Sequence, residues 1–241
     1  MWPGPVPGHT CLCQAEEVHL TPRPPAATTQ RPATGLVPAH SGHGQLMIAG
    51  SPFTAAELLA MESAGLVRPL LGGLYRASAQ PLTLELRAEA VLTILGPVLA
   101  GRWCAIGRTA SWVLLGGVAP PQLEAAVSHF HRRPSHAVAM PLSLRQLDVA
   151  AAEGHEPDAA QDVVQLHGLR CTTVERTLED LLRETATSAL DVDHHHTVQS
   201  LAALCTPRSL RERFERRRRL PGMLLARERL EAVLPPPVSP D

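Results

Sequence analysis

Asp162-Val163-Val164-Gln165-Leu166-His167-Gly168-Leu169-Arg170-Cys171-Thr172-Thr173-Val174-Glu175-Arg176-Thr177-Leu178-Glu179-Asp180-Leu181-Leu182-Arg183 changes its period half-way along. Its first part is two short apolar runs on either side of His167-Gly168, which reads as a β-hairpin. From Thr172, with Glu175 three positions on as a capping box requires, the spacing predicts a helix through Arg183. A hairpin that runs directly into a capped helix points to a fold of the α+β class.

The same punctuation appears upstream. Thr54 is a natural N-cap with Glu57 three positions on, so a helix should run to about Ala64 and stop at Gly65. Leu66-Val67-Arg68-Pro69-Leu70-Leu71-Gly72-Gly73-Leu74-Tyr75-Arg76 is a second hairpin around a Gly-Gly turn. A helix is expected from Thr83 to Leu95, a strand at Trp103–Ile106, and a helix over Arg108–Leu115 closed by Gly116-Gly117. Further strands are expected at Glu124–Ser128 and Ala137–Pro141.

Downstream, Thr206-Pro207 opens a helix that reaches about Arg219, Leu220-Pro221-Gly222 breaks it, and a last helix spans about Met223 to Val233. Residues 1–46 hold eight of the 23 prolines without any helical or strand period, so they are expected to be disordered. Met47 is an alternative natural start. The expected organisation is a tail at 1–46, a small unit at 47–80, an α+β unit at 81–234 and a tail at 235–241.

The 22 basic and 23 acidic residues nearly cancel, for a net charge of −1, so overall charge recruits neither DNA nor a membrane. Every basic residue is arginine; lysine and asparagine do not occur. A Walker-type phosphate loop, a Schiff-base enzyme, the strand lysine of a protein kinase and a lysine-containing nuclease core all lack their ammonium here. Three Phe, three Trp and one Tyr leave the core to Leu, Val and Ala, and exclude a base-stacking platform of several aromatics.

Five cysteines, at 11, 13, 104, 171 and 205, have neither the density nor the even count of a secreted disulfide scaffold, which fits a reducing cytoplasm. Cys11-Leu12-Cys13 is spaced too tightly for the usual zinc pair. The N-terminus has no basic region followed by an apolar run, and the uncharged stretch between Thr109 and Glu124 is shorter than a membrane span. A soluble protein is expected.

Charge separates along the chain. Residues 47–140 carry seven Arg against five acids, 141–205 four against eleven, and 206–231 nine against four. The basic run Arg216-Arg217-Arg218-Arg219 can lie along phosphates. It can equally be a surface helix laced by Glu212–Arg216 and Glu215–Arg219 pairs, or dock on the acidic segment. Arg68 and Arg76 flank the Gly72-Gly73 hairpin, where they can meet phosphate or simply be solvated, and Tyr75 is expected to pack beneath it. His194-His195-His196 reads as an exposed loop before a Thr197 cap, since adjacent helical residues diverge by about 100° and cannot easily share a metal. His129 and His131 lack an accompanying carboxylate. Arg176 and Asp180 are an intrahelical pair, and Ser111 lacks a nucleophile elbow. No catalytic constellation, metal site or cofactor site is expected, and so no enzyme.

Five pieces of the chain, in order, resemble AbiEi-type antitoxins of type IV toxin–antitoxin systems in their actinobacterial form. They are Pro52-Phe53-Thr54-Ala55-Ala56-Glu57-Leu58, Gly72-Gly73-Leu74-Tyr75-Arg76, Leu86-Arg87-Ala88, Thr109-Ala110-Ser111-Trp112-Val113-Leu114-Leu115-Gly116 and Leu169–Leu181. The resemblance covers roughly 47 to 234. It implies an N-terminal winged helix that can bind the operator DNA of its own operon, then an antitoxin α+β domain, and a nucleotidyltransferase-like toxin as partner, with which a stable complex is not required. Where the family has two helices before the wing, the eleven residues between Phe53 and Gly65 leave room for one, so the winged helix is reduced. By that resemblance Thr54, Arg68 and Arg76 contact DNA, and Arg216, Arg217, Arg218 and Arg219 add phosphate contacts.

Overall fold

A computed structural model describes residues 46–50, 52–99, 102–128, 140–147, 149, 162–184 and 192–234. All but Leu46 of the tail expected at 1–46, the tail expected at 235–241, and His129 and His131 lie outside the described residues.

Strand β1 (Met47–Ile48), helix α1 (Ala55–Ser63), β2 (Val67–Leu71) and β3 (Leu74–Ala77) form the N-terminal part. The capping box of α1 is complete: the Thr54 hydroxyl accepts the Glu57 N–H, and the Glu57 carboxylate accepts the Thr54 N–H at 2.8 Å. The three strands make a sheet in the order β1-β3-β2. Pro69 has no N–H to give, and it is tolerated because β2 is an edge strand, where the ladder register shifts beside it.

Helix α2 (Leu84–Leu95, capped by Thr83), β4 (Trp103–Ala105), α3 (Gly107–Leu115), β5 (Leu123–Val127), β6 (Leu142–Gln146), β7 (Val163–Leu166) and β8 (Leu169–Thr172) follow. Their five strands run β6-β5-β4-β8-β7; β4–β8 and β5–β6 are parallel, and β4–β5 and β7–β8 antiparallel. His167 and Gly168 both have positive φ, 46° and 88°, as the two-residue turn between β7 and β8 demands. One face of the sheet, through Ala105, Leu123, Ala125, Leu169 and Cys171, shares a core with α2, α3 and the hairpin residues Leu70, Leu71 and Leu74. The strand expected at Ala137–Pro141 falls partly outside the described residues; Met140 and Pro141 are not in a strand, and pairing begins at Leu142.

Gly107 sets the turn from β4 into α3. Its φ is +52°, and a Cβ there would stand 1.9 Å from Oε2 of Glu124. That space matters because the Glu124 carboxylate, reaching over from β5, accepts the Arg108 N–H at 3.2 Å and caps α3, which has no side-chain cap of its own. At the other end of α3, buried Arg87 donates Nε to Val113 C=O at 3.0 Å and Nη1 to Leu82 C=O at 2.7 Å, tying α2 to α3.

Helices α4 (Val174–Leu182), α5 (Val192–Ala203), α6 (Pro207–Arg216) and α7 (Met223–Val233) pack around a second core with Leu178, Leu182, Leu201, Phe214 and Leu230. Each such fully buried side chain contributes about 1.5–3 kcal/mol. Three expectations are corrected. The cap of α4 is Thr173, accepting the Arg176 N–H, while the Thr172 hydroxyl is buried against that of Thr177 at 2.7 Å. The histidine run is helical, because His194, Val198, Leu201 and Ala202 form one buried stripe of α5. Helix α6 ends at Arg216 and not near Arg219. The fold is α+β, and among the described residues no helix is long and apolar enough to cross a membrane.

Candidate nucleic-acid interface

The β2–β3 hairpin aligns Arg68 directly opposite Arg76. Residues so paired in antiparallel strands project from the same face with Cβ atoms about 5 Å apart, and like charges there repel unless an anion lies between them. Arg68 is exposed and forms no salt bridge among the described residues. Arg76 is half-buried and partly engaged: its Nη1 donates to the carbonyls of Ala77 and Gln80. Tyr75 is half-buried, its backbone paired between Met47 and Pro69.

Thr54 does not stand ready for phosphate. Its hydroxyl donates to Glu57 Oε2 at 2.9 Å and accepts the Glu57 N–H at 3.2 Å, so the capping box consumes it. The carboxylate of Glu57 also occupies the N-terminus of α1, the place where a helix otherwise favours an anion. Only Leu58 of α1 is buried, and the helix has no basic side chain to offer a base edge or a phosphate.

The arginine run divides. Arg216 and Arg219 are exposed beside an open concavity of about 680 Å³ that Glu212, Glu215 and Leu220 also line. Arg218 is exposed but held by Glu215 at 2.5 Å, and Glu215 also takes Arg227 at 2.9 Å. Glu212 pairs with Arg208 at 2.8 Å. Arg217 is only 5% exposed, so it is removed from any phosphate surface.

Arg217 instead joins a buried ion cluster at the junction of β7, α4 and α6. Its Nη1 lies 3.0 Å from Asp162 Oδ2 and 3.1 Å from Glu179 Oε2. Arg213, one turn earlier, meets Asp162 at 2.8 Å and Glu179 at 3.0 Å. Arg176 bridges Asp162 at 2.9 Å and its helical neighbour Asp180 at 3.0 Å. Asp162 and Glu179 are fully buried. Burial alone would raise the Asp162 pKa, but Arg213 and Arg176 outweigh it and hold the carboxyl below its ordinary value.

Compared with known proteins, the chain matches no protein-family model and no curated protein.

The cluster had a signal in the sequence that charge counting passed over. Leu210, Arg213, Phe214 and Arg217 recur at three- and four-residue intervals, so two arginines share the inner stripe of α6 with its two apolar anchors. The four arginines are adjacent in the chain, whereas a helix groups residues by face. Among the described residues no three His, Cys, Asp or Glu side chains gather as metal ligands would. His196 meets Ser200 Oγ at 3.5 Å on the outer side of α5, while His194 is buried.

Proposed function

We propose that the chain is an AbiEi-like type IV antitoxin: a cytoplasmic, non-enzymatic regulator that binds the operator DNA of its own operon and antagonises a nucleotidyltransferase-like toxin. The observation that carries this is the pair Arg68–Arg76 across the β2–β3 hairpin, two guanidiniums with no acid between them and one of them unspent. A DNA phosphate lying between them would relieve their repulsion and accept hydrogen bonds from both.

The order β1-α1-β2-β3 supports a reduced winged helix in which the hairpin is the wing. Because α1 carries acids and no arginine, docking rests on the wing, with Arg219, and Arg216 and Arg218 once released from their present partners, as further phosphate contacts. Such binding is governed by backbone charge more than by base reading, and it weakens steeply with salt.

A second function is favoured by a different observation. Ile48, Leu59 and Leu66 are large apolar side chains that are 47%, 57% and 60% exposed in the same N-terminal part. They suit a protein-interaction module whose winged helix no longer binds DNA.

The experiment is binding of the full chain to labelled DNA from upstream of its own gene, titrated with salt and competitor. Specific binding that is lost in the Arg68→Ala/Arg76→Ala double variant supports the repressor. Binding no tighter than to competitor DNA removes that role and leaves the interaction module. Co-expression with a nucleotidyltransferase-like toxin tests the antitoxin role separately, through rescue of growth.

A further inference from the structure

Each of the two sheets ends in two edge strands, and three of the four carry something that keeps another strand off. β1 is only two residues long, β2 holds Arg68, Pro69 and a register shift, and β6 carries the exposed Arg145. Short length, charge, proline and irregular register are the usual means of blunting the open hydrogen-bonding row of an edge. β7, Val163-Val164-Gln165-Leu166, has none of them: it is uncharged, free of proline and in unbroken register with β8.

The hairpin decides which of its backbone groups face outward. The two-residue turn at His167-Gly168 makes Leu166 and Leu169 a hydrogen-bonded pair, and at the other end the Thr173 N–H donates to the Asp162 carbonyl at 3.0 Å. Bonded pairs alternate along an antiparallel ladder, so Asp162, Val164 and Leu166 spend their backbone groups on β8. Val163 and Gln165 turn theirs away from the sheet. These two N–H and two C=O groups have no hydrogen-bond partner among the described residues. The Gln165 side chain is tied back to its own turn, its amide donating to the Gly168 carbonyl at 2.9 Å.

We infer that this edge pairs with the same edge of a second copy of the chain, antiparallel about a two-fold axis at Val164. Val163 then opposes Gln165 of the second copy, Gln165 opposes Val163, and all four groups of each strand are used in four hydrogen bonds. A shift of the register in one direction would set Val163 against the His167 turn, and in the other would carry Gln165 past the start of the strand. Val164 meets Val164 of the second copy as a pair without hydrogen bonds, with Cα atoms about 4.5 Å apart. Both Val164 and Leu166 are only partly covered by the main core and gain cover from this contact. A second copy is the fitting occupant because β7 is its own complement and has no charge with which to repel itself. The inference goes beyond DNA binding and stands whether or not the wing contacts DNA.

A contact of one short strand pair is small, so the dimer is expected to be weak, and the full chain is followed by sedimentation equilibrium over roughly 1 μM to 1 mM. The mass should rise from that of one chain towards that of two. Amide exchange at the two ends of this range should show protection of the Val163 and Gln165 N–H groups that grows with concentration, while the Val164 N–H, bonded within the hairpin, is protected throughout. Gln165→Pro removes one outward N–H and leaves the β7–β8 ladder intact. Gln165→Lys sets a charge on the edge at an exposed position, and it carries the test if the proline variant does not fold. Each should weaken dimerisation at least tenfold. Overturning results are a chain that stays monomeric at the highest concentration, a dimer as tight in the Gln165 variants as in the parent, or exchange at Val163 and Gln165 that ignores concentration.

Discussion

Arginine has two settings in this molecule, the β2–β3 hairpin and the junction of α4 with α6. At the hairpin, Arg68 and Arg76 face each other across two strands with no carboxylate between them. At the junction, Arg176, Arg213 and Arg217 surround Asp162 and Glu179 at 2.8–3.1 Å, out of contact with water. The side chain is the same, so its neighbours decide whether its charge holds the fold together or is left for something outside. Since guanidinium does not deprotonate in proteins, a buried arginine must have its acids, whereas an exposed one can wait for an anion.

Removing an acid from the junction should have the largest effect. Asp162→Ala leaves three buried guanidiniums short of a partner and should cost about 3–5 kcal/mol, read by urea unfolding. The junction should also show in acid. Asp162 is held below its ordinary value of 3.8, so its contribution is fully present above that pH and is lost as pH falls through the lower native value. In Asp162→Asn that part of the acid dependence should be missing. A variant that unfolds like the parent at neutral pH would show that the cluster is not what docks α6.

Next in size is Gly107→Ala. A side chain at φ +52° is strained, and its Cβ would displace the Glu124 carboxylate that caps α3. The expected cost is about 1–3 kcal/mol, measured in the same way. Thr173→Ala removes the cap of α4 and should cost about 1 kcal/mol.

The smallest stability effect belongs to the hairpin. Arg68→Ala should change unfolding free energy by less than about 0.5 kcal/mol, because the side chain touches no partner that the fold needs. In operator binding the same change should reduce the slope of log affinity against log salt by about one. A large stability loss with an unchanged salt slope would reverse the contrast with Arg217.

Much of this architecture is readable from local punctuation. The caps at Thr54 and Thr206, and the turns at Gly72-Gly73 and His167-Gly168, act within four residues, so they are visible in sequence and recur in the structure. Strand β6 is less legible: Leu142 and Leu144 alternate inward, but the segment is short and depends on pairing with β5 for its definition. The histidine run looked polar throughout, although the stripe His194-Val198-Leu201 places one of the three inside. The ion cluster joins residues up to 55 positions apart, a distance over which no local pattern reports. At the hairpin, the opposition of Arg68 and Arg76 follows from the turn, while the engagement of Arg76 with Gln80 needs coordinates.

The junction also sets an order of events during synthesis. Asp162 and Glu179 leave the ribosome before Arg213 and Arg217 exist, so until α6 arrives two carboxylates destined for the interior have only Arg176 and Arg183 as partners and keep one side in water. The strands can pair earlier, but the helical layer closes only once α6 and α7 have been made. A transcript cut short before α6 would therefore yield a sheet with an acidic, unsealed flank, a ready target for proteolysis.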